Sequence, residues 1–112
     1  LKKIADHYGY KSEYAAFLTF HDLEFLLSKG ILVVINVKYR KIGTATHAIL
    51  VTGYDRSKKV FYINDPAESR PGRELHYSDL KVRWSAYLSS PRGMSIRSGF
   101  IIYPKVDARV KN

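Results

Sequence analysis

HAILVTGYDRSKKVFYINDP, residues 47–66, is an apolar run opened by a histidine, a charged turn, a second apolar run and an Asn-Asp-Pro stop. Runs 47–54 and 59–64 have strand length, and Asp55-Arg56-Ser57-Lys58 between them is turn chemistry, so the stretch predicts a β-hairpin. Pro66 has no N–H to give a ladder and ends the second strand. With a three-residue loop, 55–57, antiparallel register sets His47 opposite Asp65. With a four-residue loop His47 faces Pro66, and Asp65 is one step away. Either register brings the two side chains within reach at the open end of the hairpin. A carboxylate on one imidazole nitrogen fixes the tautomer and leaves the other nitrogen as a base, so His47 and Asp65 are the candidate catalytic residues. Asn64 could orient the imidazole only after a one-residue slip. The same pair also reads as a satisfied polar contact without chemistry.

Upstream, Thr19 has the chemistry of a helix N-cap, with Asp22 three residues on as a short version of the capping-box acid. Phe20, Leu23, Leu26 and Leu27 supply a helical apolar stripe, and Gly30 is placed for a left-handed stop after Lys29. Residues 31–39 (ILVVINVKY) begin as a continuous apolar run and become alternating, with Val33, Ile35, Val37 and Tyr39 on one face of a strand. Residues 40–46 read as a polar loop. At the start of the chain, Leu1, Ile4, Ala5 and Tyr8 have helical spacing up to Gly9, and a short edge strand is expected over 14–18. A helix already apolar at its first residue, in a chain that does not begin with Met, is the expectation for an excised or mature segment. His7 and His21 sit on these helices as surface or packing residues.

Downstream, residues 66–74 read as a loop. Ser78 is the expected N-cap of a helix with Asp79 in its first turn and Leu80, Trp84, Tyr87 and Leu88 on its apolar side. Residues 99–104 (GFIIYP) form a closing strand, and 105–112 a polar tail. Sequential strands with short connections pair antiparallel, so the fold class is α+β, an antiparallel sheet with helices packed to one side.

The chain is one domain of 112 residues, 46% hydrophobic and 26% charged, the composition of an ordinary globular protein. No apolar run is long enough for a membrane-spanning helix. Nineteen Lys and Arg against ten Asp and Glu give a net charge of +9, which favours polyanions and keeps nucleic acid open as a partner. Basic residues are dispersed rather than run together, so a solvated basic surface accounts for the same charge. The nine tyrosines and five phenylalanines fall mostly in strand patterns, as core or cross-strand pairs rather than stacking platforms. There is no cysteine and no glutamine, which excludes disulfides and thiolate metal sites and leaves the candidate pair without a thiol to serve. A metal site from His47, Asp65 and His76 has no supporting ligand spacing, and no cofactor is implied. The absence of a G-x-S-x-G elbow argues against a serine hydrolase.

LKKIADHYGY, SKGILVVINV, HAILVTGYD, VFYINDP and YSDLKVRW together resemble the C39-like branch of the papain-like cysteine peptidases, relatives of the bacteriocin-processing peptidases. The resemblance runs from Leu1 to about Tyr103 and implies a C39-like peptidase domain over residues 1–104. It implies that His47 is the general base and Asp65 the residue that orients it. It also implies a nucleophilic Cys on an N-terminal helix, with an oxyanion-hole Gln just before it, and neither is present in this sequence. A base without its nucleophile cannot run acyl transfer, so the chain alone is expected to be inactive. The expected partner is a peptide or protein substrate, with an upstream segment or partner chain supplying the Cys. The alternatives are an inactive C39-like module that binds a peptide or partner, and a basic nucleic-acid-binding domain. Relatives are often secreted or tied to exporters; nothing in this chain specifies either.

Overall fold

In the computed structural model, which describes residues 10–38, 46–85 and 97–104, the apolar runs pair into one six-stranded antiparallel sheet. Its strands are β1 (Lys11–Ala15), β2 (Leu32–Lys38), β3 (Thr46–Asp55), β4 (Val60–Asn64), β5 (Arg73–His76) and β6 (Gly99–Tyr103). They lie side by side in the order β1-β6-β2-β3-β4-β5. Helices α1 (Phe20–Ser28) and α2 (Tyr77–Ser85) pack on this sheet, so the fold is α+β.

Alternation decides which face the helices cover. Val33, Ile35 and Val37 of β2 are fully buried, and Ile49 and Val51 of β3 and Ile63 of β4 join them. Leu23 of α1 and Leu80 and Trp84 of α2 complete the same cluster. Trp84 donates its indole N–H to the Ser98 carbonyl oxygen at 3.1 Å, which satisfies the polar atom of the largest buried side chain.

α1 begins and ends as its sequence requires. Asp22 N–H donates to Thr19 Oγ1 at 3.0 Å while Thr19 N–H donates to Asp22 Oδ2 at 2.8 Å, a reciprocal capping box. At the other end Gly30 takes φ +76°, and the Gly30 and Ile31 amides reach back to the Leu27 and Leu26 carbonyls. Leu23 is buried, as expected, and Phe20, Leu26 and Leu27 pack partly buried around it. Glu24 is buried as well; it accepts from Arg56 Nε at 2.7 Å, tying α1 to the hairpin turn.

Four expectations are corrected. The edge strand expected over 14–18 is displaced to Lys11–Ala15, because the chain breaks from extended geometry at Phe17 (φ 59°). The loop expected over 66–74 gives way at Arg73 to β5, which pairs with β4 through Phe61↔Leu75 and turns Leu75 into the core. α2 starts at Tyr77, so Ser78 lies inside the helix rather than before it; Tyr77 N–H donates to the Lys59 carbonyl oxygen at 2.8 Å. The hairpin register matches neither expected register. Asp55 pairs with Val60 around a turn at 56–59, and an irregularity between Val51 and Gly53 shifts the ladder by one. The expected N-terminal helix with His7, Tyr39, most of the 40–46 loop, Tyr87, Leu88 and the 105–112 tail lie outside the described residues.

Candidate active site

His47 enters the sheet near the start of β3, opposite Val37 of β2. It therefore shares the helix-covered face with Val37, Ile49 and Val51. On the neighbouring strand, the pairing Leu50↔Asn64 continued by one step sets Asp65 across from Ile49. His47 and Asp65 are thus diagonal neighbours on one face, two positions apart along the ladder. The diagonal still closes: His47 Nε2 lies 3.0 Å from Asp65 Oδ2.

Local chain chemistry holds Asp65 in place. Its Oδ1 accepts the Ala67 N–H at 2.9 Å, and its carbonyl oxygen accepts the Glu68 N–H at 2.9 Å, so the Asp-Pro step folds directly into a turn. Asn64 closes the same loop, accepting the Gly72 N–H at 2.8 Å. It is a loop fastener here and makes no contact with the imidazole among its described hydrogen bonds.

The Asp65 side chain is 6% exposed and that of His47 19%. Burial by itself pushes the Asp65 carboxyl up. The Ala67 amide, the hydrogen bond and charge of His47, and the charge of Arg73 outweigh it and hold the group below the ordinary aspartate range. Asp65 is therefore ionised near neutral pH and can only accept. Nε2 must then carry the proton, which leaves the imidazole lone pair on Nδ1.

The pair opens on a cavity of about 360 Å³ lined by His47, Asp65, Ala67, Glu68, Arg73 and Arg83. Arg73 lies 2.9 Å from Glu68 Oε2 through Nε and 3.9 Å from Asp65 Oδ2 through Nη2. Arg83 donates from Nε to the Lys38 carbonyl oxygen at 2.9 Å. Neither arginine stood out in the sequence as a site residue: they come from β5 and α2, and only the packing of α2 beside the sheet brings them together. His76 is exposed on β5 and lines a separate surface hollow with Arg70 and Glu74, and His21 is exposed on α1.

Among the described residues no group of three or more His, Asp or Glu is placed to hold a metal ion, and no helix is long and apolar enough to cross a membrane. A protein-family model described as Peptidase_C39 like family matches residues 1–90. No curated protein and no solved structure gives a significant match.

Proposed function

The chain belongs to the Peptidase_C39 like family, and from that membership we propose that it contributes the base and its orienting carboxylate to a cysteine-peptidase site. The observation that carries this reading is the 3.0 Å contact between His47 Nε2 and Asp65 Oδ2 at the mouth of a cavity. In this site a thiolate attacks the peptide carbonyl. His47, protonated as the thiolate forms, gives its proton from Nδ1 to the leaving amine, and Asp65 stabilises the imidazolium through Nε2. The sequence has no cysteine, so the thiol comes from elsewhere in the protein or from another chain. Peptide hydrolysis by the full-length gene product, abolished by a thiol alkylator, is the expected result. Hydrolysis indifferent to alkylation would overturn the reading.

A second reading rests on that same lack of cysteine: a C39-like module that binds a peptide or partner without cutting it. Peptide binding by a full-length protein with no alkylator-sensitive hydrolysis would favour it.

A further inference from the structure

The cavity beside His47 holds two guanidinium groups whose charges are unequally met. Arg73 is engaged by Glu68 at 2.9 Å and approaches Asp65 at 3.9 Å. Both carboxylates are thereby committed, Glu68 to Arg73 and Asp65 to His47 and the Ala67 amide. Arg83 is different. It is partly buried and spends Nε on the Lys38 carbonyl oxygen, and among the described residues no carboxylate lies within ion-pairing distance of it. Burial lowers its pKa and the like charge of Arg73 adds to this, the charges of Asp65, Asp79 and Glu68 offset only part of it, and a guanidinium stays protonated. A cation drawn partly out of water with no ion-pair partner among the described residues is costly, and an anion arriving in the cavity relieves that cost.

We infer that Arg83 is a specificity residue that binds a carboxylate of the peptide ligand in the cavity beside His47. The inference rests on the peptide-ligand reading above. The planar fork of Arg83 matches a carboxylate through the nitrogens that Lys38 does not use. A purely structural Arg83, pinning α2 to β2 through Lys38, would be blind to the charge of the ligand. That difference is measurable. The carboxylate is either the C-terminus of the peptide or an acidic side chain, and the probes below separate the two.

The test is an NMR titration of the isotopically labelled chain with acetyl-Gly-Gly as the free acid, the same peptide as its C-terminal amide, and amidated acetyl-Gly-Glu. At least one acid probe is expected to bind about tenfold or more tighter than the neutral amide, the scale of one charge-assisted hydrogen bond. The better of the two acids identifies the source of the carboxylate. Arg83→Gln should reduce the preference to less than about twofold, and Arg83→Lys should keep part of it. Equal binding of acid and neutral probes, no binding of any probe, or a preference that survives in Arg83→Gln overturns the proposal. If Arg83→Gln does not fold, the side-chain signals of Arg83 in the unaltered chain decide: they must move with an acid probe and not with the amide. Turnover plays no part in these readings. Indifference to ligand charge would therefore defeat this proposal alone, whereas hydrolysis that does not need His47 would defeat the peptidase reading alone.

Discussion

His47 and Asp65 are in hydrogen-bond contact, Nε2 to Oδ2 at 3.0 Å, although they do not face each other across the β3–β4 ladder. The contact is diagonal, and it depends on an extra residue in β3 at Thr52, which puts His47, Ile49 and Val51 on the face that Phe61, Ile63 and Asp65 of β4 share by alternation. Without that extra residue the register set at Asp55↔Val60 would carry on to pair Asp65 with Leu50 and leave His47 on the opposite face from it. The pair is therefore a product of the irregularity as much as of the two side chains.

The tautomer of His47 follows from this contact. In the neutral imidazole of the unaltered chain, nitrogen NMR should show the proton on Nε2, and Asp65→Ala should give a mixture of tautomers. A proton on Nδ1 in the unaltered chain would contradict the assignment.

Acid stability carries the signature of Asp65. Its folded-state pKa lies below the unfolded value, so the unfolded chain takes up the proton first as pH falls. The stabilisation is present above about pH 4, the unfolded aspartate value, and is lost as pH drops through the lower folded value. Thermal unfolding of Asp65→Asn between about pH 2 and 5 should therefore have a shallower acid limb than that of the unaltered chain. Parallel limbs would show that the carboxylate is not held below its ordinary range.

Trp84 is the keystone of the packing between α2 and the sheet: fully buried, hydrogen-bonded to Ser98 and stacked at 6.3 Å on Phe20. Trp84→Ala should cost about 3–5 kcal/mol in urea denaturation. A loss under about 1 kcal/mol would mean that the site closes over the gap or that the ring is not buried.

Gly99 lets β6 slide in beside β2. A Cβ there would stand 2.8 Å from the Val34 carbonyl oxygen and 3.1 Å from methyl groups of Ile35 and Val33. Gly99→Ala should destabilise by roughly 1–3 kcal/mol. Gly53→Ala, whose Cβ would make ordinary contact with Tyr62 at 3.5 Å, is expected to be neutral or to stabilise by up to about 1 kcal/mol. Equal effects at the two positions would argue against β6 lying between β1 and β2.

Much of this was legible before any coordinates. Local chemistry carried it: Thr19 and Asp22 with Gly30 bound α1, and alternation at Val33, Ile35 and Val37 picked the core face of β2. His47 and Asp65 were legible because they are 18 residues apart on a single hairpin. What escaped was non-local. β5 is four residues, RELH, with one buried side chain, and an edge strand that short and charged reads as loop. β6 joins the sheet between β1 and β2 after a crossover that no periodicity encodes. Nothing in the sequence marks Glu24 as buried; its burial makes sense only beside Arg56, 32 residues away. The meeting of Arg73 and Arg83 at one cavity required the docking of α2, which joins two elements with unrelated patterns.

The central claim is that His47 is the base of a cysteine-peptidase site, and it is tested most directly by comparing peptide hydrolysis by the full-length gene product with that of its His47→Ala variant. The account predicts a fall in kcat/KM on the order of 10³-fold or more, with the folded state intact. Undiminished hydrolysis in His47→Ala would contradict it.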